Sequence, residues 1–260
     1  SIKLCGEGLA LTTYLTMKIR NFLSISVSCC LLLMHTVVSA GWFGADFSAE
    51  VVQGTPQGQD TRGRMYVSKG RVRTEMEQNG ERMIEIIDPV SGVAWVVDPQ
   101  QQRYQERSVP KVATGDKQSA NPCNGIAGAQ CRQLPDELLN GRSSKKWLLR
   151  HNGMERMQWN DARHGFPIQV VEGGQVVMAM VYVSEERLGE RQVERWRALQ
   201  YSGKAVVESE QWYDPQLNIA IRQQAKDGSF RELRNIRLGE QPDKLFTLPQ
   251  GYSRMDAAAR

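Results

Sequence analysis

Histidine is almost absent from this chain: three in 260 residues, with only His151 and His164 beyond the first forty. They form no His-x-His or His-Glu pair, so the usual imidazole-built metal and acid–base sites are missing. There is no Gly-x-Ser-x-Gly, no phosphate-cradling glycine loop and no calcium-loop pattern. Neither catalytic residues nor metal ligands nor a cofactor site can be named, and the chain reads as a non-enzyme. His164 follows Trp159-x-Asp161 and has Leu217 as its counterpart in a second copy, so it is expected on a surface turn. Excess charge is missing as well. Lys and Arg number 33 against 29 Asp and Glu, and three of the bases but one acid lie in the first forty residues. Beyond them the chain is near neutral, without a nucleic-acid footprint.

Cysteine is scarce and unevenly placed. Cys5, Cys29 and Cys30 fall near the N-terminus, leaving Cys123 and Cys131 in a loop-like stretch. Cys-x-x-Cys is absent, and no cluster of further ligands supports a metal site. In an exported protein the pair reads as a disulfide.

Long apolar runs are missing too, except one. Met17-Lys-Ile-Arg20 is a basic start, an apolar run spans Phe22 to Val38, and Val38-Ser39-Ala40 is a small-residue cleavage site. Residues 17–40 are therefore a signal peptide cleaved after Ala40, and the protein is expected in the periplasm. Residues 1–16 read as an over-extended start, the alternative being a longer basic region. An apolar run this short, ending in a cleavage site, argues against a membrane anchor. Ser26-Val27-Ser28-Cys29 faintly matches a lipoprotein signal, which makes an outer-membrane lipoprotein the lesser alternative.

What is present is a repeat. Leu139-Asn-Gly-Arg-Ser-Ser-Lys-Lys-Trp147 is echoed by Leu188-Gly-Glu-Arg-Gln-Val-Glu-Arg-Trp196. Each is followed by Trp-x-Asp, at Trp159 to Asp161 and Trp212 to Asp214, then an apolar stretch ending at Ile168 or Ile221. The spacings match except between the tryptophans, where turn signals sit, and hairpin tips tolerate insertions. The repeat 139–183 and 188–238 is thus a reused set of strands within a single domain, 41–260. Asp161 and Asp214 recur at one turn position, which suits a side-chain cap better than a catalytic pair. Ile84 to Asp88-Pro89 and Trp95 to Asp98-Pro99 read as two more strands with Asp-Pro turns, and Ser68-Lys-Gly70 as a hairpin. Leu134 to Leu139 could form a helical turn or two, and Pro242 to Phe246 a short helix. Ten to twelve strands are expected. Val176 to Val183, apolar on both faces, should be the most buried of them. A sheet of this size is expected to curl or close.

Asn121-Pro-Cys123, Cys131-Arg-Gln-Leu, Glu137-Leu-Leu-Asn-Gly-Arg142, Lys146-Trp147, Trp159-x-Asp161 and Asp243-Lys-Leu-Phe-Thr-Leu-Pro-Gln-Gly-Tyr252 resemble the exported, uncharacterised proteins of the LolA-like superfamily. The resemblance implies an all-β fold with minor helix: a strongly curved, incomplete antiparallel barrel with an apolar concave face and a short helical cover. It implies binding or carriage of a lipid, a lipoprotein acyl chain or another apolar envelope component. The alternative is a structural or regulatory module that holds a protein segment. Partners would be an apolar ligand or a lipidated envelope protein, with transient membrane contact and no nucleic acid; the oligomeric state is left open. Met178, Met180 and Tyr182 share one parity of their strand and are candidate ligand contacts, with Met157 and Trp159.

Overall fold

A computed structural model describes residues 43–58, 60–78, 80–111, 121–123, 126–203 and 205–255. The leader, the extension before Met17, and Cys5, Cys29 and Cys30 lie outside the described residues. Seventeen strands make up one sheet. In chain order they are β1 (Phe47–Gly54), β2 (Thr61–Ser68), β3 (Arg71–Gln78), β4 (Glu81–Asp88), β5 (Val93–Asp98), β6 (Arg103–Ser108), β7 (Gln130–Gln133), β8 (Glu137–Leu139) and β9 (Arg142–His151). They continue with β10 (Met154–Asp161), β11 (Pro167–Glu172), β12 (Gln175–Leu188), β13 (Arg191–Ser202), β14 (Ala205–Asp214), β15 (Ile219–Ala225), β16 (Phe230–Leu238) and β17 (Ser253–Arg254). The count exceeds the expected ten to twelve because short edge strands escape a reading based on alternation. The segment before Leu139 is strand β8 rather than a helical turn. The short helix before Phe246 is a 3-10 turn, Asp243–Phe246, with Pro242 at its N-cap.

β9–β12 and β13–β16 follow the same course. Trp147 pairs with Gln158 and Trp196 with Gln211, while Trp159 pairs with Lys146 and Trp212 with Arg195. Within each copy the two tryptophans therefore point to opposite faces, and all four are buried. The aspartates cap their turns. Oδ1 of Asp161 accepts the backbone N–H of Arg163 at 3.0 Å and of His164 at 2.9 Å. Oδ1 of Asp214 accepts those of Gln216 at 2.9 Å and Leu217 at 3.1 Å. Each turn closes on a left-handed residue, Gly165 at φ 80° and Asn218 at φ 56°, where a β-branched side chain would be strained. The second oxygen of each aspartate takes an arginine Nε, from Arg142 or Arg191. Asp88 and Asp98 cap the two earlier turns in the same way.

Neighbouring strands are antiparallel, save for β17, which runs parallel to β6. Lateral order starts with β7 and β8 beside β9, proceeds through β10 to β16, passes to β1, and ends with β6 and β17. Closure is not achieved. Among the described residues no ladder joins β7 or β8 to β6 or β17, and edge strands of two to four residues are too short to seal a barrel. The sheet is neither closed nor strongly curled, in contrast to the expected half-barrel. Among the described residues no helical layer draws its margins together, and the one helical cover, the 3-10 turn, packs Leu245, Phe246 and Leu248 onto Ile84, Ile86 and Val97. β12 also departs from expectation. None of its residues is fully buried. Cys123 and Cys131 form a disulfide with Cα atoms 5.8 Å apart, tying the preceding loop to β7.

Candidate functional site: a neutral face opposite an ion-paired one

Cross-strand partners share a face, so the ladders can be followed residue by residue. One row runs Gln133, Trp147, Gln158, Val170, Met178, Gln200, Val207 across β7 to β14. A second runs Tyr182, Trp196, Gln211, Gln223, Arg231, Gln53, Thr61, from β12 to β2. Between them lie Met180, Ala198, Ser209 and Ala225. These side chains are aromatic, thioether, small or amide. Arg231 is the one charge among them. Beyond Arg231 the face continues through Leu233, Val51, Gly63, Met76 and Met83, the last 46% exposed. Gly63 is needed there, since a Cβ would come within 2.1 Å of the Glu75 backbone carbonyl oxygen.

The opposite face is built differently from residues one step away in sequence. Arg195, Trp212, Arg222, Glu232, Val52, Arg62, Glu77 and Arg82 form its corresponding row. Arg195 meets Glu186 at 3.1 Å and Glu210 at 3.3 Å, Arg197 meets Glu208 at 3.5 Å, and Arg62 meets Glu50 at 3.1 Å. The 3-10 turn sits on this face too, with Arg73 donating to the Leu245 carbonyl at 2.9 Å. So the ion-paired face carries the only helical cover among the described residues. On the neutral face Trp147, Val170, Trp196, Ala198, Val51 and Leu233 are buried, while Met178, Met180 and Tyr182 stay half-buried. Alternating residues on paired strands give the sheet one wet side and one side suited to apolar contact.

The five candidate ligand contacts divide. Met178, Met180 and Tyr182 lie on the neutral face and are half-buried. Met157 and Trp159 have the other parity and lie off its rows, opposite Leu148 and Lys146. Trp159 is occupied there: its indole N–H goes to Glu137, and Lys146 lies 4.9 Å over its ring. Hydrogen bonding to Trp159 holds the Glu137 carboxyl below its ordinary range. Met157 and Trp159 nonetheless join Met180 and Tyr182 in the cluster around Ile168 and Trp196, where a bulge interrupts the β10–β11 ladder. Apolar side chains are also exposed at three adjacent hairpin tips: Met154, Val176, and the pair Val206 and Val207.

At the other end, where the repeats meet, a polar group is buried. The expectation of a surface histidine fails here. The His164 side chain is only 6% exposed, stacked on Phe166 and tilted against Tyr213. Its Nε2 lies 3.0 Å from Glu194, which also accepts the Trp196 indole N–H at 3.1 Å and faces Arg163 at 3.2 Å. Lys145 is the Glu194 counterpart in the first copy, so this group belongs to the junction and not to the repeat. Burial alone would raise the Glu194 carboxyl, but the His164 hydrogen bond and the charges of His164 and Arg142 outweigh it and hold it below its ordinary range. Burial, reinforced by Glu194, Asp161 and Asp214, pushes the Tyr213 phenol up. A shallow depression lined by Gly141, Arg142, Ser143, Asp161, Ala162 and Arg163 opens beside this junction, and its Arg142 lies 4.6 Å over the Trp196 ring and 4.9 Å over that of Tyr182.

No family model matches the chain, and no curated protein matches it. Solved structures do. A LolA superfamily protein from Nitrosomonas europaea aligns over 80% of this chain and 93% of its own at 14% identity, with a TM-score of 0.42. A putative outer membrane lipoprotein-sorting protein domain from Vibrio parahaemolyticus aligns over 78% and 89% at 14% identity and a TM-score of 0.36. The MucA/MucB complex of Pseudomonas aeruginosa provides a chain aligned over 76% and 94% at 10% identity and a TM-score of 0.21. The chain is thus similar in structure to proteins of the LolA superfamily, as its motifs implied, at low sequence identity.

Proposed function

We propose that this is a periplasmic, non-enzymatic binding protein for a lipid, a lipoprotein acyl chain or another apolar envelope component, and that the neutral face holds it. The observation that carries the reading is the asymmetry of the sheet. Over the central rows, residues one position apart build an ion-paired face on one side and a face of Met, Trp, Gln and Ala on the other, with the Arg156–Glu172 and Glu85–Arg107 pairs at the margins of that second face. Along that face Met178, Met180 and Tyr182 stay half-buried and Gln200 and Val207 are exposed, beside buried Trp147, Trp196 and Ala198. An apolar surface left partly open signals a contact surface. Methionines adapt to ligands of variable shape, and amides offer hydrogen bonds without the desolvation cost of charge. The leader-like N-terminal sequence and the disulfide support an exported setting.

Met180→Glu should abolish binding of an apolar fluorescent probe. Val181→Glu should not, because Val181 stands opposite Arg197 on the ion-paired face. Equal binding by both variants, or none by the parent protein, would overturn the reading. Native mass spectrometry of envelope-purified protein separates this from the module that holds a protein segment: a retained acyl-chain mass supports the first, a stoichiometric polypeptide the second.

A further inference from the structure

We propose that the ligand of the neutral face is an amphiphile with a negatively charged head, a fatty-acid-type carboxylate, and that Arg231 is the residue that holds the head. The inference rests on the reading of that face as an apolar-ligand surface and adds the ligand's charge.

Arg231 is the one charged side chain in the three central rows, flanked by Gln223 and Gln53 on the adjacent strands. Every row neighbour is neutral. Its Nε is shielded from solvent and has no hydrogen-bond partner among the described residues. Glu85 is the carboxylate that acts on it electrostatically, but Glu85 is bonded to Arg107. The arginines of the opposite face offer a contrast. Arg195 and Arg222 there also have an unpartnered Nε, but each has a carboxylate within 3.9 Å of another guanidinium nitrogen, and Arg62, Arg73 and Arg234 are likewise paired. Burial also lowers the Arg231 guanidinium from the usual arginine range, the sign of a cation short of compensation. Keeping an arginine half-buried and unpaired is unfavourable unless something completes it. A planar carboxylate fits the guanidinium fork in bidentate fashion, and the two flanking amides can donate to the same oxygens. An alkyl chain leading away from that head would run along Ala225, Ser209, Ala198 and Met180.

The test uses the full exported protein and displacement of a neutral fluorescent probe, with each competitor below its micelle concentration. Dodecanoate and neutral dodecyl maltoside share an alkyl length. The parent protein should prefer dodecanoate by roughly tenfold or more, as a charge-assisted pair in a half-buried site allows. Arg231→Met should bring the ratio of the two affinities to near one, and Arg231→Lys should keep part of the preference. The ligand-free Arg231→Met protein should melt no lower than the parent, because an uncompensated charge has been removed. A large fall in its melting temperature would assign Arg231 a structural role and overturn the proposal. So would a preference that survives Arg231→Met, or no preference in the parent. Failure of both competitors to displace the probe from the parent would instead overturn the apolar-ligand reading beneath it.

Discussion

Glu137 and Glu186 are equivalent residues in the two copies of the repeat, and each accepts the indole N–H of that copy's second tryptophan. A base in the next strand then completes each group: Lys146 lies 3.2 Å from Glu137, and Arg195 lies 3.1 Å from Glu186. The two strand groups thus share a Glu–base–Trp cluster as well as a strand pattern. Trp159→Phe and Trp212→Phe keep the ring and delete the donor. Each should lower stability by about 0.5–1.5 kcal/mol, the ordinary worth of one hydrogen bond. Chemical denaturation measures both. A large cost at one site with none at the other would show that the copies have parted energetically.

The first tryptophans should behave unlike one another. The Trp147 indole N–H is buried without a partner among the described residues, whereas that of Trp196 reaches buried Glu194. Trp196→Phe should cost about 1–3 kcal/mol by leaving a buried carboxylate oxygen less satisfied. Trp147→Phe should cost markedly less, since the donor it removes has nothing to lose. Matched urea titrations would decide, and equal losses would contradict the assignment.

Glu194 makes stability depend on acidity. Its carboxyl is held below the ordinary range in the fold, so the ionised form is favoured by folding. That stabilisation is complete above the unfolded carboxylate value of about 4.3 and is lost as pH falls through the lower folded value. The stability gap between the parent and Glu194→Gln should therefore shrink from about pH 4 downwards. Thermal melts between pH 5 and pH 2 check it. A gap that widens towards acid would reverse the sign.

Oxidation of Cys123 and Cys131 should be complete in exported protein. Cys123→Ser should lower stability by roughly 2–3 kcal/mol in the chain-entropy picture while leaving the strands in place. Intact mass before and after reduction and alkylation reads the first claim; two alkylated thiols without reduction would refute it.

Much of the strand plan is legible in the sequence because its punctuation is local. Trp-x-Asp and Asp-Pro each specify a turn within a few residues, and the structure caps those turns as their chemistry requires. The Glu137–Trp159 and Glu186–Trp212 bonds could have been suspected too, since both glutamates stand two residues before the repeated leucine. Arg231 could not. Its isolation follows from register across seven strands, and bulges in β1–β16, β10–β11, β12–β13 and β14–β15 shift parity in ways composition does not reveal. The openness of β12 was hidden for a related reason. Apolar side chains on both sides say what a strand could pack against, but not whether a layer is there.

The tandem arrangement also makes the width of the sheet countable. β13 begins where β12 ends, and it repeats the alternation with which β9 began. A third copy spliced at Gly189, in the β12–β13 turn, would bring its own capped aspartate and its own tryptophan pair, and would require no existing strand to slip. At ~4.8 Å per strand, four more strands would extend the neutral surface by roughly 19 Å. Such an insertion would widen that surface in whole strand units and leave Arg231 where it stands.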